Sequence, residues 1–416
     1  LPSRSSVLQL AGARAEFVSN QEGRVRASAK TMPNLKDIVD VAQALQSTAV
    51  RVVEDRCVVV RNRNSSCRRC VRACPADAIT VRGNNVTLDN AACVSCGACT
   101  VVCPVEALVP LDPTDAELAS GAARSASALG GTVVIACARM AAKDLADPSK
   151  YVTVPCMARV DEVMLVELAA AGAKRILLVD GTCRTCKYRD TSDGVDQTVD
   201  EALELIEAMG GTATVRRVSE FPQEVLIEDK ASLYGQERRG FFSRSTRKAR
   251  QASVKTAEVM ISKEFEQRMP SLRDRLGVTA SGAMPWLVAQ RRERLMDSLD
   301  ELGAPAKDVI DSRQFGTVQI DLEKCNACGM CAVFCPTGAL KKSDERPADG
   351  VGSYLEFQAF DCVNCRVCSD VCMKKCLKVV GEVSSDELFD FEPRMINLPD
   401  PPKRTGMLTG FKRGNK

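Results

Sequence analysis

The chain has 416 residues, 21 cysteines and no histidine, with a formal net charge of +3. At roughly 100–200 residues per domain it holds about two to four domains, and 27% charged with 45% apolar residues marks a globular chain. Lack of histidine excludes His-ligated haem, Rieske centres, Cys-His zinc fingers and Ser-His or Cys-His catalytic pairs.

The uncharged run 90–105 is interrupted by four cysteines and a proline, whereas a membrane-spanning helix needs about 20 apolar residues. The chain begins Leu1-Pro2-Ser3-Arg4, without the apolar core of a signal peptide and without an initiator Met. A cytoplasmic location is the default expectation, with the completeness of the N-terminus left open. A reducing compartment and an odd cysteine count both argue against disulfides.

In chain order, residues 1–49 carry one helical apolar face, Leu35, Ile38, Val39, Ala42 and Leu45, which suits a docked helix. Residues 50–112 contain Cys93-x2-Cys96-x2-Cys99-x3-Cys103-Pro104 and a degenerate run, Cys67-x2-Cys70-x3-Cys74-Pro75. Asn64 stands where the degenerate run should have its leading cysteine, and Cys57 lies seven residues upstream. Residues 317–382 contain Cys325-x2-Cys328-x2-Cys331-x3-Cys335-Pro336 and Cys362-x2-Cys365-x2-Cys368-x3-Cys372.

Both segments resemble bacterial two-cluster ferredoxins. In that family three closely spaced thiolates wrap one face of a [4Fe–4S] cube, and the fourth cysteine of each run ligates the other cluster. The resemblance implies four sites. Site one takes Cys57, Cys67, Cys70 and Cys103, and site two takes Cys93, Cys96, Cys99 and Cys74. Site three takes Cys325, Cys328, Cys331 and Cys372, and site four takes Cys362, Cys365, Cys368 and Cys335. Two departures stand out: Cys57 is out of register, and Met373 replaces the proline expected after Cys372. Structural zinc fits poorly, because zinc knuckles are separated by longer gaps.

Residues 113–222 alternate as an α/β unit. Strands are expected at 132–136, 151–154, 175–179 and 212–218, and helices at 161–171 and 199–209. Such alternation implies a mostly parallel sheet with right-handed crossovers. Cys137, Cys156, Cys183 and Cys186 follow the first three strands, and the carboxyl ends of parallel strands share one edge, where ligands bind. Small packing thiols would lie inside the strands instead.

This segment resembles the delta subunit of methyl-viologen-reducing hydrogenase, through Val154-Pro155-Cys156-Met157-Ala158-Arg159-Val160-Asp161 and Asp180-Gly181-Thr182-Cys183-Arg184-Thr185-Cys186-Lys187-Tyr188. That family usually has glycine at the place of Ala158 and a longer, histidine-bearing loop between the last two cysteines. The resemblance implies a [2Fe–2S] centre held by Cys137, Cys156, Cys183 and Cys186, with structural zinc or another cluster type as alternatives. Arg159 is either a hydrogen-bond donor behind that centre or a surface ion-pair partner. Cys376 is left over and reads best as a buried free thiol.

Residues 223–316 read as a polar, largely helical connector. Between Arg238 and Lys255 it carries seven basic residues and no acidic one. The run is a solvated face or, more sharply, a docking surface for a partner. Few aromatics interleave with the charges, which disfavours nucleic acid. The tail, 383–416, is expected to wrap over a partner or stay disordered. The fold class is thus multidomain, α/β and α+β: two ferredoxin-like dicluster modules flank a small parallel-sheet domain, with a helical connector.

Neither GxGxxG nor GxxxxGK[ST] occurs, and acid–base machinery is sparse. The expected function is an iron–sulfur electron-transfer subunit of a cytoplasmic, anaerobic oxidoreductase complex, not a self-contained enzyme. It would carry four [4Fe–4S] clusters and one [2Fe–2S] cluster. The partner would be a flavoprotein, a molybdopterin enzyme or a hydrogenase, and the resemblance implies a hydrogenase or heterodisulfide-reductase setting. A redox sensor and a cluster-assembly carrier are the competing readings. Arg56, Arg61, Arg63, Arg68, Arg69 and Arg72 surround the degenerate run. Positive charge favours the reduced cluster, so site one is expected to have the highest potential of the four cubanes.

Overall fold

The computed structural model describes residues 49–227, 272–279 and 284–401. The helix expected in 1–49 and the basic run from Arg238 to Lys255 lie outside them.

The first cysteine-rich module is built from short elements. Strand β1 (Val50–Val52) is followed by helices α1 (Val58–Arg61) and α2 (Arg69–Ala73) and by the hairpin β2 (Ile79–Arg82) and β3 (Asn85–Leu88). Gly83 opens the hairpin turn at φ +57°, a region glycine enters at no steric cost. Helix α3 (Ala98–Val101) and strand β4 (Leu108–Pro110) complete the module, and β4 pairs antiparallel with β1.

In the middle domain, α4 (Asp115–Ala128) starts at a capping box. Thr114 Oγ1 accepts from the Glu117 N–H at 3.2 Å, and Glu117 Oε2 accepts from the Thr114 N–H at 3.1 Å. Then come β5 (Thr132–Cys137), α5 (Ala138–Ala141), β6 (Val152–Val154), α6 (Glu162–Ala170), β7 (Arg175–Val179), α7 (Ser192–Ala208) and β8 (Thr214–Val218). The four strands form a wholly parallel sheet in the order β6-β5-β7-β8. Every residue of β5 is buried, as a strand covered on both faces requires. The expected strands and the helix of 161–171 are present. Helix α7 begins earlier than expected, at Ser192, because Val195 extends the buried stripe of Val199, Ala202, Leu205 and Ile206.

After α8 (Leu272–Arg275), helix α9 (Gln290–Leu302) packs on α6 and buries Leu295, Met296 and Leu299. Its charges look polar in sequence, yet Arg291 and Arg292 are buried too. Arg291 donates to the carbonyls of Val101 at 3.0 Å and Thr100 at 2.8 Å, in the first module. Arg292 donates to the carbonyls of Phe360 at 2.6 Å and Ala359 at 2.9 Å, in the second. Consecutive helix residues point to different faces, so one helix clasps both modules.

Beyond β9 (Val309–Asp311), the second module repeats the plan of the first. Strand β10 (Thr317–Ile320), helix α10 (Met330–Val333) and strands β11 (Leu340–Lys342) and β12 (Ser353–Phe357) lead to helix α11 (Val367–Val371) and strand β13 (Leu377–Val380). β13 pairs antiparallel with β10, as β4 does with β1. The described part of the tail, 383–401, is folded onto the second module. β14 (Glu382–Ser384) pairs with β9, α12 (Ser385–Phe389) follows, and β15 (Arg394–Leu398) joins β12 as a third strand beside the hairpin. Leu388 and Leu398 are buried, which gives the tail an apolar reason to stay.

The modules flank the sheet domain in sequence and also touch each other. Val363, Val367 and Val371 share a core with Val58, Val60 and Val105 of the first module. Ser66 donates its backbone N–H to Asp370 at 2.7 Å, and Arg69 Nη2 donates to the Asn364 carbonyl at 2.7 Å.

Candidate metal centres

Each complete cysteine run curls by the same backbone device. Left-handed residues bracket the second cysteine: Ser95 and Gly97 around Cys96, Ala327 and Gly329 around Cys328, and Asn364 and Arg366 around Cys365. A second left-handed residue follows the last cysteine of all four runs, at Asp77, Glu106, Gly338 and Lys375. Alternating αR and αL residues curl the chain so that its N–H groups face inward. After that turn the Ala78 N–H donates to Cys74 Sγ at 3.3 Å and the Ala107 N–H to Cys103 Sγ at 3.2 Å, while the Leu340 N–H donates to Cys335 Sγ at 3.4 Å.

The degenerate run lacks the leading loop, and Cys57 stands at the place of the missing thiol. Cys57 precedes α1 and lines one void with Cys67, Cys70 and Cys103. Cys335, Cys362, Cys365 and Cys368 line a second void, and Cys325, Cys328, Cys331 and Cys372 a third. Cys99 lies within electrostatic reach of Cys96, Cys93, Cys74 and also Cys70. The third void contains Cys376 as well, its sulfur 3.4 Å from that of Cys372. Cys376 is a buried free thiol, as expected, and its place is beside the third void.

The thiols ring these voids without converging on a point. Among the described residues, no three Cys, Asp or Glu side chains gather as they would round a single ion. Burial pushes Cys70 and Cys362 up to about 12 and Cys96 and Cys331 up to about 11, with neighbouring thiols adding to the rise. Such groups ionise only when cationic charge arrives among them, as iron supplies.

The surrounding arginines have the matching deficit. Arg61 and Arg292 are buried, and Arg69 is half-buried. Burial lowers all three guanidinium pKa values, and no described carboxylate lies within ion-pair distance of any of them. The Nε of Arg61 is buried without a hydrogen-bond partner among the described residues. Cys335 and Cys365 lie within reach of Arg61, Cys67, Cys103 and Cys365 within reach of Arg69, and Cys362 within reach of Arg292. Buried cations require anionic partners, and a thiolate-ligated cluster, at about −2 when oxidised, is one. The residues present fit such a group.

In the middle domain, Cys137 ends β5, Cys156 stands just past β6, and Cys183 and Cys186 bound a 3-10 turn after β7. All four occupy the carboxyl edge of the sheet. Cys137 Sγ lies 3.8 Å and Cys183 Sγ 4.0 Å from the Asp180 carbonyl, and Cys156 Sγ lies 3.6 Å from Thr191 Oγ1. Gly181, at φ +65°, packs its Cα on Met140; a Cβ there would stand 2.6 Å from the Met140 sulfur. Arg217 of β8 donates to Cys183 Sγ at 3.4 Å and to Asp180 Oδ2 at 2.8 Å. Nothing in the sequence near the cysteines pointed to Arg217.

Arg159 is not a surface residue. Only 3% exposed, it pairs with Asp115, donates to the Pro113 carbonyl at 3.1 Å, and lies against Gly97 of the site-two loop. Cys156, three residues earlier, is among the thiols that raise Cys96.

Comparison with known proteins matches three segments of the chain. Residues 64–107 and 312–376 match the 4Fe-4S dicluster domain family, and residues 133–223 match the methyl-viologen-reducing hydrogenase, delta subunit family. A ferredoxin from Streptomyces griseus is 36% identical over 66 residues, 16% of this chain and 58% of that protein. A ferredoxin from Saccharopolyspora erythraea is 36% identical over 69 residues, 17% of this chain and 60% of that protein. The chain thus spans under two thirds of the length of these curated relatives.

Proposed function

We propose that this iron–sulfur electron-transfer module, built of ferredoxin-like and hydrogenase-delta-subunit-like domains, is the relay subunit of a cytoplasmic, anaerobic oxidoreductase complex. Cys57, Cys67, Cys70 and Cys103 hold one [4Fe–4S] cluster, and Cys74, Cys93, Cys96 and Cys99 a second. Cys325, Cys328, Cys331 and Cys372 hold the third, and Cys335, Cys362, Cys365 and Cys368 the fourth. Cys137, Cys156, Cys183 and Cys186 hold a [2Fe–2S] cluster. Bound there, the clusters supply one-electron carriers.

The observation that carries the reading is the continuity of the five thiol sets. Cys156 of the middle set lies within electrostatic reach of Cys96 in site two. Cys99 of site two reaches Cys70 in site one. Arg69 lies within reach of Cys67 and Cys103 on one side and Cys365 of site four on the other. Cys368 of site four reaches Cys331 of site three. On this reading the sites run in the order middle, two, one, four, three. It differs from the order along the chain because the two cysteine modules dock on each other. The middle set stands at one end, and site three, with the exposed Cys328, at the other. Each end is a place for a redox partner: a flavin, molybdopterin or hydrogenase subunit carrying the chemistry. The basic run between Arg238 and Lys255 is a further docking element.

Anaerobic purification with native partners, followed by iron and sulfide counting and EPR, tests this. About 18 irons per chain are expected, with magnetic coupling between sites one and four. A colourless preparation loaded with zinc, or one in which sites one and four are magnetically isolated, would sink the relay.

A further inference from the structure

The four cysteine runs end alike. Three residues past the last cysteine comes a left-handed residue, and the next position is Ala78, Ala107, Ala339 and, in the fourth run, Cys376. Ala107, Ala339 and Cys376 line their voids at this position, and in the first three runs its backbone N–H or that of the next residue donates to the cysteine sulfur. A thiol at this position adds a fifth sulfur to site three. Cys376 Sγ lies 3.4 Å from Cys372 Sγ, lines the same void as Cys325, and is buried among Ile320, Leu355, Leu377 and Leu398. Cys372 is also the terminal cysteine whose following proline is replaced, by Met373, which is 87% exposed. Proline would fix φ at that point, so this corner has lost a rigid element and gained a second sulfur.

We propose that Cys372 and Cys376 are interchangeable fourth ligands of site three. The inference rests on the reading that the site holds a four-iron cluster. In the exchange the Cys376 S–H loses its proton and its sulfur bonds to the iron released by Cys372, and Cys372 takes up that proton. One Fe–S bond forms and one breaks, no electron moves, and no co-reactant is needed. The device suits the site with the exposed thiol, Cys328, where oxidants arrive first. A corner iron held by either of two sulfurs outlasts the loss of one.

The test compares anaerobically purified Cys372→Ala, Cys376→Ala and the double variant with the unaltered chain, by iron counting and by EPR for three-iron clusters. Cys376→Ala restores the alanine of the other three runs, so its folding is not at issue, and Cys372→Ser backs up Cys372→Ala. Both single variants should keep the full iron count and show no three-iron signal. The double variant should lose about one iron per chain and show it. A three-iron signal in either single variant overturns the interchange while leaving the four-iron site intact. If Cys331→Ala made in the Cys376→Ala background leaves the iron count unchanged, the cluster reading itself fails, and this inference with it.

Discussion

The two cysteine modules have one backbone plan and opposite departures from it. The first lacks a leading cysteine and has Cys57, the residue before α1, at the same void; its loops are crowded with arginine. The second keeps every leading cysteine, carries no charge from Cys325 to Cys335, gains Cys376, and gains β15 from the tail. The comparison teaches that the turns, not any one cysteine, define the site. Where the left-handed residues and the closing strand pair are kept, a thiol can arrive from another element or arrive twice.

The modules also differ in how they meet the sheet domain, and the largest expected effect lies there. Glu162 of α6 is fully buried, and Arg313, ahead of the second module, pairs with it at 2.6 and 2.7 Å. Arg313→Met should cost about 3–5 kcal/mol in denaturant unfolding, because it strands a buried carboxylate. Burial tends to raise the Glu162 carboxyl, but the Arg313 and Gln314 contacts outweigh it and hold it below its usual range. The pair's contribution is therefore present above the ordinary carboxylate pKa and lost as pH falls through the lowered one. The variant's stability should fall less steeply with acid than that of the unaltered chain; an equal slope would show that the pair does not govern acid sensitivity.

Next in size is a comparison of equivalent glycines. Gly97 and Gly329 both stand left-handed after the second cysteine, at φ +80° and +71°. A Cβ on Gly97 would lie 2.6 Å from Arg159 Cδ, whereas Gly329 has open space around it. Gly329→Ala should cost about 1–2 kcal/mol from handedness alone, and Gly97→Ala clearly more; equal losses in thermal unfolding would remove Arg159 from the contact between module one and the sheet domain.

The arginine asymmetry predicts smaller shifts. Arg69 sits between sites one and four, while Arg63 and Arg72 are exposed and screened. Arg69→Met should lower the potentials of both sites by an amount on the order of 1–2 kcal/mol, and Arg63→Met should leave them nearly unchanged. A redox titration in which only site one moves would show that Arg69 serves one module. The expectation that site one alone has the highest potential is sharpened accordingly, since Arg61 also lies within reach of site-four thiols. Smallest of all, Arg366 fills in the fourth run the left-handed position that glycine fills in two others. Arg366→Gly should stabilise the second module by less than about 1 kcal/mol, read as a shift in its thermal unfolding.

Cysteine spacing alone specified the four-thiol runs, because a polynuclear cluster needs three ligands within one loop, and a short-range pattern is what a sequence displays. Alternating apolar runs likewise specified the parallel sheet and placed Cys137, Cys156, Cys183 and Cys186 at one edge. Tertiary structure decided what depends on distant segments meeting. It seated Cys57 with Cys103, put Cys376 beside Cys372, folded the tail into β15, and turned Arg291 and Arg292 of a polar-looking helix into clasps on two modules. It also set the order of the sites, for docking energy comes from faces brought together by folding, and local patterns carry no record of which faces those are.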